Sequence, residues 1–140
     1  MKNKTFKILL INQDLRFNIL FRETIDSVNP SIILNVELEE YGKSLLEMDF
    51  DLYFVNIDEF SFQILEAIHN VKAKAKIIAI TSQSDLKMEG KARAIGITYL
   101  MMLPLIKEEL VGILLDTAMG PELIQHSINA NNFSGVGSSL

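Results

Sequence analysis

The chain of 140 residues contains no cysteine. That excludes a disulfide scaffold, a thiol nucleophile and a thiolate metal site. Its two histidines, His69 and His126, stand far apart without metal-ligand spacing, and neither reads as catalytic. Positive charge is also in short supply: 13 basic residues against 18 acidic ones leave a net charge of -5. A nucleic-acid footprint needs a clustered positive face, so that class of partner is not expected. No apolar run approaches the ~18 residues of a membrane helix. The run after Met1-Lys2-Asn3-Lys4-Thr5 is also too short for the apolar region of a signal peptide. The expectation is a cytoplasmic protein with no membrane partner.

The chain does have a hydrophobic content of 49%, enough for one domain with a real core. Five short apolar runs alternate with segments of helical period. The runs are Phe6 to Ile11, Ile32 to Leu38, Leu52 to Ile57, Lys76 to Thr81, and Tyr99 to Leu103. The first, third and fourth are almost continuously apolar, as in parallel strands buried on both faces. The second alternates Asn35, Glu37 and Glu39 with Leu34, Val36 and Leu38, which fits a strand nearer an edge.

Three helical faces stand out between the runs. Phe17, Leu20, Phe21, Thr24, Ile25 and Val28 form one, with Asp14 placed to cap it and Pro30 beyond its end. Phe60, Ile64, Leu65, Ile68 and Val71 form another, and Ile106, Leu110, Ile113, Leu114 and Thr117 a third. Shorter helices are expected around Lys43 to Met48 and Leu86 to Ile95, the latter ended by Gly96. Strands alternating with helices imply right-handed crossovers and a doubly wound α/β fold, with helices on both faces of a parallel sheet. Residues 1–119 read as this domain. Residues 120–140 read as a C-terminal extension or linker, a short helix over Glu122 to Asn131 followed by a flexible Gly/Ser tail.

In such a fold, chemistry is done at the carboxyl ends of the strands. The third run ends on one polar residue, Asn56. An aspartate there would attack a phosphoryl donor or bind a metal; an amide has no negative charge and is a poor nucleophile. Four strand-end segments stand in order: Lys7 to Asp14, Asp51 to Ile57, Lys76 to Ser82, and Gly96 to Leu105. Their order and spacing resemble the CheY-like receiver domain of bacterial two-component response regulators, over roughly Phe6 to Thr117. The resemblance implies a flavodoxin-like five-stranded sheet of order 2-1-3-4-5.

The resemblance also implies a chemistry, phosphoryl transfer from a histidine kinase to an aspartate after the third strand. Two acidic residues after the first strand hold Mg²⁺. A Thr or Ser after the fourth strand, and a Lys before the last-strand proline, contact the phosphoryl group. Carried over residue by residue, the acidic pair falls on Asn12 and Gln13, the phosphoacceptor on Asn56 and the lysine on Leu103. Only Thr81 keeps the family's residue type. Mg²⁺ needs carboxylate charge, which three neutral amides do not supply, so it is not expected to bind, and no other cofactor is implied. Without those carboxylates a lysine would be an unpaired cation, costing on the order of several kcal/mol if buried; leucine removes that cost. The four departures run in one direction, toward a degenerate pseudo-receiver that is not an enzyme.

Taken by themselves, Asn56, Asn12 and Gln13 read as hydrogen-bonding loop residues and Asp14 as a helix cap. Asp58 reads as a solvated or capping residue before Phe60. An alternative keeps Asp14 and Asp58, both near the former pocket, as a displaced acceptor or metal site. In the family the Thr81 position couples to an aromatic on the last strand; that position falls on Leu100, with Tyr99 one residue early and therefore on the other face. The resemblance implies a cis bond before Pro104. Part of the run Met101, Met102, Leu103 and Leu105 is core. The rest, rimmed by Lys87, Lys91 and Arg93, is expected to add to the family's docking and dimer surface, formed by the helix of 86–95, the last strand and the last helix.

Three functions follow from these readings. The first is a protein-interaction module in two-component or phosphorelay signalling, binding a protein partner or a second copy. The second is an active receiver whose acceptor is Asp58 or Asp14. The third, an enzyme or a small-ligand binder such as a flavin or nucleotide protein, lacks support, because the loop Asn12-Gln13-Asp14-Leu15-Arg16 has no glycine to cradle phosphate and no nucleophile–base pair is visible. No DNA-binding helical pair is visible.

Overall fold

The computed structural model describes residues 5–38, 49–58, 62–72, 74–83 and 85–117. Five parallel strands, β1 (Lys7–Ile11), β2 (Ile33–Glu37), β3 (Leu52–Asn56), β4 (Lys76–Thr81) and β5 (Tyr99–Met102), form one sheet in the order β2-β1-β3-β4-β5. Four helices are described: α1 (Leu15–Val28), α2 (Gln63–Val71), α3 (Leu86–Ile95) and α4 (Lys107–Thr117). The helix expected around Lys43 to Met48, the helix entry at Phe60, and the whole of 118–140 with His126 lie outside the described residues.

The register explains why the central strands are continuously apolar. Leu10, Phe54 and Ile78 align across the sheet, and their side chains join Phe17, Phe21 and Ile25 of α1 and Leu110, Ile113 and Leu114 of α4 in one core. Leu9, Tyr53 and Ile77 align one residue earlier and face the other way, packing with Ile64, Leu65 and Ile68 of α2 and Ala92 of α3. All five residues of β3 are buried because both faces are covered. Phe21 and Phe54 meet edge-on at 4.8 Å between ring centres, a geometry that aromatic rings prefer. Full burial of one such side chain stabilises by about 1.5–3 kcal/mol. Strand β2 lies at an edge, and its Ile33 is exposed.

Helix starts and stops follow local chemistry. The Asp14 side chain accepts hydrogen bonds from Arg16 N at 3.0 Å and Phe17 N at 3.4 Å, satisfying two amides that have no partner within α1. Asp85 does the same for Lys87 N at 2.9 Å in α3. Gly96 closes α3 at φ 117°, a left-handed conformation that suits glycine, and a Cβ there would meet the His69 ring at 3.4 Å. Two residues expected on inward helix faces are exposed, Val71 and Ile106. Val71 is the last residue of α2, and Ile106 precedes α4, so each lies where the helix face ends.

Candidate functional site at the carboxyl end of the sheet

Asn12 follows β1, and Asn56 is the last residue of β3. The two strands are neighbours, which brings together side chains 44 residues apart. Asn56 Nδ2 donates to Asn12 Oδ1 at 2.7 Å, with both residues buried. Asn12 Nδ2 donates to Asn18 Oδ1 at 2.9 Å, and Asn18 Nδ2 returns a bond to the Asn12 carbonyl at 3.0 Å. On the other side, Asn56 Oδ1 accepts from Asp58 N at 2.8 Å. The amide orientations are thereby set along one chain, Asn18 to Asn12 to Asn56 to the Asp58 backbone. Buried polar groups are costly when unpaired, so a linked neutral set is stable where a lone carboxylate would not be.

Asn18 had no place in the sequence reading. It lies on α1 at the spacing Asn18, Phe21, Ile25, which is the buried stripe. An amide inside an apolar stripe was the available signal. Gln13 stands apart from the network: it is exposed, and its Nε2 donates to Leu38 O at 3.3 Å.

A second cluster lies one strand over. Thr81 ends β4 and is fully buried, and its Oγ1 donates to Asp58 Oδ1 at 2.6 Å. Ser82 N and Ser82 Oγ both donate to Asp58 Oδ2, each at 2.7 Å. Partial burial of Asp58 acts to raise its pKa, but the bonds from Thr81 and Ser82 favour the carboxylate and outweigh it, so the pKa is lowered. Asp58 is thus neither the cap of α2, where Phe62 takes that position, nor a merely solvated residue. The reason is a contact 23 residues away in sequence.

Leu103 is partly buried against the α1/α4 core, and its N donates to Thr81 O at 2.8 Å. The Leu103–Pro104 bond is cis. Tyr99 pairs in register with Ile78, on the α1/α4 side, while Thr81 follows Ile77 and Ala79 on the other. Leu100, opposite Ala79, packs on the Thr81 side. Tyr99 instead donates its hydroxyl to Glu109 Oε2 at 3.1 Å, and that bond, with partial burial and nearby carboxylates, raises its pKa.

The expected interaction face needs one correction. Met101 is 0% exposed and offers no surface. It pairs with Ile80, which turns it into the α1/α4 core. Leu105 is partly buried against the same core. Lys87, Lys91 and Arg93 are exposed on α3; Arg93 Nε pairs with Glu89 Oε2 at 2.9 Å, and Lys91 Nζ lies 5.1 Å from the centre of the Phe62 ring. A cleft of about 510 Å³ opens beside the strand ends, between Asp14, Arg16 and Phe17 on one side and Ser82, Leu103 and Leu105 on the other.

No group of three or more His, Asp or Glu is placed to hold a metal among the described residues. Asp14 is engaged at the α1 cap and Asp58 at Thr81 and Ser82. No described helix is long and apolar enough to cross a membrane.

No family model and no curated protein sequence matches this chain. Solved structures do. A CheY-like response regulator receiver domain protein from Methanospirillum hungatei JF-1 superposes with TM-score 0.74 at 14% identity, over 90% of this chain and 99% of that one. The chemotaxis protein CheY4 of Vibrio cholerae gives TM-score 0.73 at 14% identity, over 82% of this chain and 100% of the other. The signal receiver domain of a DNA-binding response regulator from Colwellia psychrerythraea 34H gives 0.69 at 18%, over 79% and 99%. The chain therefore has the receiver fold of two-component response regulators, with sheet order 2-1-3-4-5.

Proposed function

We propose that this chain is a pseudo-receiver, a cytoplasmic protein-interaction module of two-component or phosphorelay signalling that works without phosphoryl transfer and without Mg²⁺. The observation that carries the reading is the bond from Asn56 Nδ2 to Asn12 Oδ1 at 2.7 Å. The position that would attack a phosphoryl donor is a buried amide, engaged with the residue that would help hold the metal. The neighbouring carboxylates, Asp14 and Asp58, already serve as acceptors for backbone and hydroxyl donors. A hard cation that dehydrates reluctantly gains little from neutral amides.

Its partner is a protein, or a second copy, docking on the surface of α3, β5 and α4. Support comes from Leu86, which is 87% exposed, from Lys87 and Lys91 beside it on α3, and from exposed Tyr99 and Ile106. A net charge of -5 favours a protein over a nucleic acid.

The test is the intact mass after incubation with Mg²⁺ and acetyl phosphate, paired with amide spectra recorded with and without Mg²⁺ and beryllofluoride. The expected result is no added phosphoryl mass and no shift at Asn12, Asn56 or Thr81. A mass gain abolished by Asp58→Asn or Asp14→Asn would instead make this an active receiver with a displaced acceptor.

A further inference from the structure

An exposed carboxylate is ordinarily satisfied by water, and ordering it against protein donors costs side-chain entropy. Asp58 is exposed, yet it takes three donors from one dipeptide. The Thr81 donor is set in place without it. Thr81 is the end of a central strand, fully buried, and Leu103 N donates to its carbonyl. Its hydroxyl oxygen also accepts from Gln83 N at 3.1 Å, which orients the O–H outward. Thr81 Oγ1, Ser82 N and Ser82 Oγ therefore form a cradle suited to two oxygens of an anion.

We infer that this cradle is an oxyanion site that the chain fills with its own Asp58 carboxylate, and that the filled site fixes the segment leading into α3. The consequence reaches α3 because that helix is held lightly, with Met88 and Ile95 only partly buried against the core. Ala92 is the single buried residue among its ten. Its start is capped by Asp85, three residues beyond Ser82 in the chain. The exposed Leu86 and Lys87 at that end of α3 move with it. The inference rests on the proposed function, since it requires that Asp58 is a fixed tether and not an acceptor.

The test compares amide spectra of the whole protein and of Asp58→Ala, each titrated with sodium acetate, inorganic phosphate and, at matched ionic strength, sodium chloride. In Asp58→Ala the resonances of Thr81 to Gln83 and of α3 shift together, and the Ser82 amide exchanges about tenfold faster or more. Acetate and phosphate then move these resonances back in a saturable way, chloride does not, and the wild type responds to none of the three. Asp58→Asn, which keeps the shape without the charge, shifts the same resonances part of the way and serves if the alanine variant does not fold. The inference is overturned if α3 resonances stay in place in both variants, or if acetate and phosphate act no differently from chloride. A silent wild type in the phosphodonor assay with an unmoved α3 would sink the cradle alone; a phosphoryl mass gain on Asp58 would sink both readings.

Discussion

Two polar clusters sit side by side on the carboxyl rim of one sheet and solve the same problem in opposite ways. At the ends of β1 and β3 the residues are buried and neutral: Asn18, Asn12 and Asn56 pass hydrogen bonds along a chain of amides. At the end of β4 the acceptor is a charged carboxylate, Asp58, at the surface. The difference follows from desolvation. A carboxylate among the buried amides would need compensating charge that the chain does not supply there, whereas Asp58 keeps part of its hydration and adds three donors. Charge is retained where water reaches it and removed where water does not.

The strongest way to break this contrast is to put charge into the neutral cluster. Asn56→Asp replaces the donor facing Asn12 Oδ1 with an acceptor, and its burial disfavours ionisation. At neutral pH the variant should lose about 3 kcal/mol or more of stability, measured by urea unfolding. Its introduced carboxyl has a folded pKa raised above the unfolded value, because only the protonated form can donate. Stability is therefore present below the unfolded pKa and is lost as pH rises through the folded one, so the deficit against wild type must shrink on acidification. A deficit that does not depend on pH would show that the amide network is not what Asn56 serves.

Removing one link is expected to cost less. Asn18→Ala removes the 2.9 Å acceptor of the Asn12 amide, which keeps only a longer bond to Asp14 O at 3.4 Å, and removes the donor to the Asn12 carbonyl at 3.0 Å. A loss of about 1–3 kcal/mol follows from leaving buried groups unsatisfied. A shift of the thermal midpoint near zero would mean that water takes over both bonds.

The smallest effect belongs to the charged cluster. The Asp58 pKa is lowered in the folded protein, so its contribution is present above the ordinary carboxylate value of ~3.9 and is lost as pH falls through the folded pKa. Asp58→Asn should accordingly differ from wild type most at neutral pH and converge with it in acid. Because Asp58 is exposed, solvent and salt screen the interaction, and the difference stays within about 1 kcal/mol. A gap that widens in acid would reverse the sign of the argument.

Several features were legible in the residues themselves. Continuous apolar runs marked β1, β3 and β4, and the alternating run marked β2 as an edge strand. Asp14 could be read as a cap because a cap bonds only two or three residues ahead. Asn12 and Asn56 could be found because strand ends are where such a fold places its polar residues. Asp58 could not be read correctly: as a local residue it looks solvated or capping, and its partners lie 23 and 24 positions away. Nor could the run Met101 and Met102 be divided into inside and outside, since both are apolar and only pairing with Ile80 and Thr81 assigns their faces.

The sequence alone determined the period of each element, its stops and caps, and the absence of charge at Asn12, Gln13 and Asn56, because these depend on a residue and its near neighbours. The tertiary structure decided which amide meets which, that Asn18 joins them, that Met101 turns inward, and that Asp58 holds the end of β4. Those outcomes depend on strand order and register, which bring distant residues within hydrogen-bond distance and are set by how both faces of the sheet are buried together.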